Sequence, residues 1–192
     1  MTSVLGIHGS PRKGGNTEIL LDEALAGAEA AGAEVEKIRL AKLKFKACQA
    51  CGGCDETGKC KINDDMQLLY PKFINGNKFI IASPIFFKSI SALTKSMVDR
   101  FQCLWVAKYV LKDVPWDTGT KRLGAFISTC GSDRRDMFEP GKAVIRSLYV
   151  TLDIKYAYEL LVDSIDEKGE ICDHPGILEQ ARQLGRKLVT GE

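Results

Sequence analysis

The chain of 192 residues is 45% apolar and 27% charged, the balance of a soluble globular protein, and its length suits one domain over residues 1–192. A net charge of +2 excludes a generally basic surface, so no nucleic-acid partner is expected. No apolar run is long enough to cross a bilayer, the opening apolar stretch is too short for a secretory signal, and seven cysteines suit the reducing cytoplasm, so no membrane partner is expected either.

Val4 to His8 reads as a first strand, followed by the loop Gly9-Ser10-Pro11-Arg12-Lys13-Gly14-Gly15. Leu20, Leu21, Ala24, Leu25 and Ala28 then recur at helical spacing from Thr17 onward, and Gly32 closes that helix. Val35 to Leu40 alternates apolar and charged residues, as an edge strand with one wet face does. A cysteine-rich loop over about 41–63 follows, then a short helix from about Asp64. Phe79 to Ala82 is a continuous apolar run, suited to a central parallel strand. Beyond a loop at Ser83 to Ser89, Leu93, Met97, Phe101 and Leu104 mark another helix. The aromatic stretch from Trp105 to Trp116, within a segment of about 103–121, serves as an oligomer interface, a cover over the site or core packing. Leu123 to Ser128 and Ile154 to Leu161 read as the fourth and fifth strands, and a helix follows from about Gly176 to Leu188. Strands alternating with helices predict an α/β fold. Its form is a doubly wound, five-stranded parallel sheet of flavodoxin-like type, strand order 2-1-3-4-5, with the cysteine-rich loop after strand 2.

In such a sheet, ligands bind beyond the carboxyl ends of the strands. The first loop places Ser10, Asn16 and Thr17 with the cations Arg12 and Lys13 at a helix N-terminus, which is an anion site, although a plain glycine-rich turn capped by Asn16 accounts for the same residues. G-x-G-x-x-G is absent and strand 2 ends without an acid for a ribose, which disfavours a dinucleotide site. Gly9 and Gly14 have Walker spacing, but Gly15-Asn16 stands where Lys-Ser/Thr would be needed, which disfavours ATP hydrolysis. No cysteine lies in the loop to act as a phosphatase nucleophile. The next such loop, Ser83-Pro84-Ile85-Phe86-Phe87-Lys88-Ser89, carries two aromatics that either line a flat conjugated ring or plug the core.

Cys48, Cys51, Cys54 and Cys60 form C-x2-C-x2-C-x5-C, with Gly52, Gly53 and Gly58 allowing sharp turns. Thiolates this close repel unless a cation neutralises them, as zinc or an iron–sulfur cluster does; free thiols or opportunistic disulfides are the alternative. Zinc sites usually split their ligands into two distant pairs, and this run has no second pair and no nearby histidine. Lys42, Lys44, Lys46, Lys59 and Lys61 crowd the loop and could raise a cluster's potential, dock an acidic redox protein, or form a solvated face. Cys103, Cys130 and Cys172 are expected to be packing residues, and neither His8 nor His174 suggests a catalytic dyad.

Gly9-Ser10-Pro11-Arg12-x-x-Gly15-Asn16-Thr17, with Ser83-Pro84-Ile85-Phe86-Phe87 and the downstream Lys95 and Asp99-Arg100, resembles the NADPH-dependent FMN reductase group of the flavodoxin-like superfamily. With the four cysteines added, the chain resembles the iron–sulfur flavoproteins within that group, most strongly over about residues 3–135. The resemblance implies FMN, its phosphate taken by Ser10, Arg12, Asn16 and Thr17 and its isoalloxazine by Pro84, Ile85, Phe86, Phe87 and Ser89. It implies a [4Fe–4S] cluster on Cys48, Cys51, Cys54 and Cys60, a ferredoxin or NAD(P)H as electron donor, and a homodimer or homotetramer. Electrons would pass between FMN, the cluster and a redox partner, with no catalytic side chain required. An NAD(P)H-dependent flavin or quinone reductase with the motif empty or zinc-filled is the alternative, and a flavodoxin-like carrier or redox sensor a further one. The loop Ser128 to Asp136 departs from the pattern: it is charged where many relatives are glycine-rich, so Arg134 and Arg135 either bind a substrate anion or nicotinamide phosphate or form a solvated pair.

Overall fold

The computed structural model describes residues 2–191; the two end residues of the expected domain, 1 and 192, lie outside the described residues. In chain order the elements are β1 (Ser3–His8), α1 (Asn16–Ala30), β2 (Glu34–Arg39), α2 (Leu69–Asn75), β3 (Lys78–Ala82), β4 (Ile85–Phe86), β5 (Ser89–Ile90), α3 (Ala92–Arg100), α4 (Gln102–Trp105), β6 (Leu123–Thr129), α5 (Glu139–Thr151), β7 (Lys155–Val162) and α6 (Pro175–Thr190). A π-helical turn, Val106–Leu111, continues α4. The main sheet has the order β2-β1-β3-β6-β7 with every pair parallel, so the five long strands follow the expected 2-1-3-4-5. β4 and β5 form a separate two-stranded antiparallel hairpin.

Alternation along the strands divides the core into two layers. Leu5, Ile7, Phe79, Ile81 and Phe126 face α2, α3 and α5, where Phe73, Met97, Ile145 and Tyr149 meet them. Val4, Ile80, Ala82, Ala125 and Ile127 face α1 and α6, where Leu20, Leu21, Ala24, Leu184 and Leu188 close the other side. Each of these large aliphatic or aromatic side chains contributes about 1.5–3 kcal/mol by leaving water. The edge strand β2 shows the predicted wet face, with half-buried and exposed positions intermixed.

α1 and α6 pack backbone to backbone at two glycines. A Cβ on Gly27 would stand 2.0 Å from the Arg182 carbonyl oxygen, and one on Gly185 would stand 1.8 Å from that of Ala24. An ion pair from Arg182 to Glu23 lies beside this contact. α1 therefore holds its position, and the loop at its N-terminus, by direct seating on α6.

Three features differ from the sequence-based expectation. The helix Glu139–Thr151 stands where no helix is predicted, because its first turn reads Glu-Pro-Gly, a turn signature. Proline is tolerated there, since a first-turn N–H has no partner inside the helix. The helix predicted through Leu104 is divided at Phe101 into α3 and α4. Cys103 and Cys130 are buried as expected, whereas Cys172 is exposed, because Ile171 takes the buried position of that short 3-10 turn.

Candidate functional site

All five strands of the main sheet are parallel, so the loops after β1, β2, β3 and β6 leave from one edge. One pocket there is lined by Ser10, Arg12, Gly15, Asn16 and Thr17 from the first loop and by Pro84, Ile85 and Phe86 after β3. Thr129, Cys130, Gly131, Ile165 and Asp166 complete it. The two predicted loops thus meet. Phe87 and Ser89 stand outside the wall: Phe87 is fully exposed at the hairpin tip, and Ser89 pairs with Phe86 across the hairpin. Ile165 and Asp166, absent from the sequence reading, enter because the Ile165 N–H donates to the Cys130 carbonyl at 3.0 Å after β6 and β7, a pairing that no local motif announces.

The pocket's polar end is built from the first turn of α1, whose leading N–H groups lack intrahelical partners. The Ser10 hydroxyl accepts from the Arg12 N–H at 3.2 Å, and Gly14 turns the chain through φ +65°. The Arg12 guanidinium donates to the Asp166 carbonyl at 3.3 Å. Thr17 and Thr129 share a buried hydroxyl contact of 3.0 Å. The Asn16 amide is engaged below the pocket, donating to the Glu167 carbonyl at 2.7 Å and accepting from the Gly169 and Ile171 N–H groups. The N-cap is Gly15, not Asn16. Pro84, Ile85, Phe86 and Ile165 supply the apolar end.

A charged cluster braces this loop from beneath. Glu18 accepts from the Gly14 N–H at 2.7 Å and pairs with Lys37 and Arg39, each at 3.2 Å. Burial opposes its ionisation, but the Gly14 and Lys37 bonds outweigh it and hold the carboxyl below its ordinary range. His8, fully buried, accepts at Nδ1 from Arg39 at 3.4 Å, while its Nε2 has no partner among the described residues. Burial pushes the His8 imidazole below its ordinary value of 6.5, only partly countered by the Glu18 carboxylate. Between that value and the lowered one, the unfolded chain binds a proton that the folded chain does not, so stability falls as pH falls through the window. The melting temperature should accordingly drop as pH is lowered from 6.5, and a His8→Leu protein, followed by circular dichroism, should lose most of that slope.

The second cavity, of about 420 Å³, is lined by Cys48, Cys51, Cys54 and Cys60 together with Lys61, Asp99, Arg100 and Cys103. Left-handed backbone at Ala50, Gly52 and Gly58 coils the loop around it. Gly58 also lies against α4's continuation, where a Cβ would stand 2.9 Å from that of Ala107. Asp64 anchors the loop's ends, accepting from the Lys46 and Met66 N–H groups at 3.1 Å each. Burial alone would raise the Cys60 thiol, but bonds from Ile62, Tyr70 and Arg100 bring it below the ordinary thiol range. Burial, reinforced by the Asp55 carboxylate, raises that of Cys54. Among the described residues, no three His, Cys, Asp or Glu side chains converge as a single metal ion requires. Four thiols line one cavity, a donor set that suits a polynuclear cluster, whose irons would each take a separate thiolate.

A family model described as NADPH-dependent FMN reductase matches residues 2–137, from β1 through the loop after β6. The chain belongs to this family. An iron-sulfur flavoprotein of Methanocaldococcus jannaschii is 41% identical over 97 residues, 50% of this chain and 50% of the relative. One of Methanosarcina thermophila is 33% identical over 129 residues, 67% of this chain and 63% of the relative. The chain therefore matches about half to two thirds of these relatives' lengths. Among solved structures, an FMN-dependent NADH-azoreductase of Bacillus anthracis in complex with FMN superposes with a TM-score of 0.69 at 14% identity, covering 99% of this chain and 98% of that one; the likeness is one of fold. Among the described residues, no helix of this FMN reductase family member is long and apolar enough to cross a membrane.

Proposed function

We propose that this domain is an FMN-dependent oxidoreductase that passes electrons between FMN, a [4Fe–4S] cluster and a redox partner. The observation that carries the reading is the presence of two cavities in one domain, one polar at one end and apolar at the other, the other lined by four cysteines. Ser10, Arg12 and the first-turn N–H groups at Asn16 and Thr17 would hold the FMN phosphate, with charge and helix dipole both favouring the anion. Pro84, Ile85 and Phe86 would lie against the isoalloxazine, with Phe87 and Ser89 on the adjoining hairpin beside it. Cys48, Cys51, Cys54 and Cys60 would each take one iron. FMN supplies the exchange between two-electron and one-electron chemistry, so the side chains need only bind, orient and exclude water.

NAD(P)H or a small redox protein such as ferredoxin is the proposed donor, in the cytoplasm, where a cluster survives. Trp105, Tyr109, Val110 and Leu111 are exposed on α4 and its π-helical turn, which supports a homodimer or homotetramer closing over this face. Anaerobically purified protein tests the reading through its visible spectrum and its content of flavin, iron, sulfide and zinc. Flavin bands with about four irons and four sulfides per chain are expected for one [4Fe–4S] cluster. Flavin without iron and sulfide removes the cluster from the reading, and protein without flavin overturns it.

A further inference from the structure

α3 is fixed at both ends to different cavities. At its start the Ser91 hydroxyl donates to the Gly9 carbonyl at 2.5 Å and accepts from the Thr94 N–H at 3.2 Å. The Ser91 N–H donates to the Ser83 hydroxyl at 2.9 Å, so the helix joins both loops of the first pocket. At its last residue, Arg100 is fully buried, and its guanidinium reaches four acceptors in the cysteine loop. Nη1 donates to Asp64 at 2.6 Å and to the Lys46 carbonyl at 2.8 Å. Nη2 donates to Asp64 at 3.0 Å and to the Cys60 sulfur at 3.4 Å.

We propose that Arg100 is a positioning residue that aims the Cys60 sulfur at one corner of the bound cluster and, through its N–H···S bond, raises the cluster's reduction potential. The inference rests on the cluster reading above. An electron entering a thiolate-ligated cluster adds negative charge to sulfur, and a donor fixed on that sulfur stabilises the reduced form more than the oxidised one. Asp64 balances the guanidinium's charge for groups farther off, yet it leaves one N–H aimed at Cys60. Burial strengthens the bond, since no water competes for the donor. Lysine keeps the charge but lacks the planar fork that serves Asp64, Lys46 and Cys60 together.

The test compares parent protein with Arg100→Lys and Arg100→Gln, purified anaerobically. It measures iron and sulfide, the melting temperature, and the cluster potential by redox titration followed by electron paramagnetic resonance. The lysine variant is expected to hold its iron and to favour the oxidised cluster about tenfold more than the parent, a fall of about 59 mV for a one-electron couple. The FMN potential should stay at the parent value, and glutamine should lower the cluster potential at least as far. Iron lost from the lysine variant at an unchanged melting temperature also supports the positioning role; iron lost together with a fall in melting temperature overturns it. Iron-loaded variants with the parent's potential overturn the inference alone. A parent protein that holds no iron overturns the cluster reading, and this inference with it.

Discussion

A Gly185→Val protein is expected to melt about 6–12 °C below the parent, the shift that a loss of about 3 kcal/mol produces in a domain of this size. The added Cβ would stand 1.8 Å from the Ala24 carbonyl oxygen, 2.8 Å from its carbon and 3.0 Å from the Ala28 nitrogen. Those are backbone atoms, so no change of rotamer relieves the overlap and the two helices must separate. Separation also unseats Leu184 and Leu188 from the layer under α1, which adds lost burial to the overlap. Gly176 in the same helix is the control. Nothing lies within 4 Å of a Cβ there, so Gly176→Ala should leave stability unchanged or raise it by up to about 1 kcal/mol. Differential scanning calorimetry distinguishes the two, and a Gly185→Val melting temperature within a degree of the parent's would show that α1 and α6 are not closely seated.

Replacing Cys54 with alanine is expected to abolish bound iron and sulfide while leaving flavin in place. A four-thiolate cluster would lose one of its four anchors, and the sulfur removed lies in a cavity that shares no lining residue with the proposed flavin pocket. The contrast is Cys103→Ala. Cys103 lines the same cavity but is buried in the core, with its sulfur directed to the Arg100 carbonyl at 3.5 Å. Iron should survive that change at a stability cost of about 1 kcal/mol. Elemental analysis beside the flavin absorbance decides: iron retained in Cys54→Ala, or lost in Cys103→Ala, would reassign the ligand set.

Much of this molecule is legible in its residue pattern, for identifiable reasons. Phe79 to Ala82 reads as a central strand because a parallel strand covered on both faces must be apolar throughout, and β3 is buried from Phe79 to Ala82. The first loop and the Pro84–Phe86 segment could be paired because the strand order brings them to one edge, whatever else surrounds them. Illegible features depend on contacts remote in sequence or on turns without their usual residues. The hairpin turn at Phe87-Lys88 takes φ values of +48° and +63° with neither glycine nor asparagine, so composition gives no sign of it. Asn16 looks like a phosphate ligand or a cap, and only the loop at 167–171 explains where its amide points. Arg100 belongs to a recognisable Asp-Arg pair, but its reach to Lys46, Cys60 and Asp64 spans 36 to 54 residues of sequence. The Ser128 to Asp136 loop reads as a charged departure, yet Thr129, Cys130 and Gly131 enter the pocket while Arg134 and Arg135 pair with Asp136 and Asp163.

The seating of α1 on α6 also bears on the order of events during synthesis. α6 follows every strand in the chain, so a ribosome releases all five strands of the sheet before it releases the helix on which α1 rests. Until then Leu20, Leu21 and Ala24 have only the sheet beneath them, and the loop that α1 presents has a mobile foundation. On the proposed site, capture of the FMN phosphate would therefore be a late step for a nascent chain, whereas the cysteine loop, held by α2 and α3, has its anchoring residues in place well before.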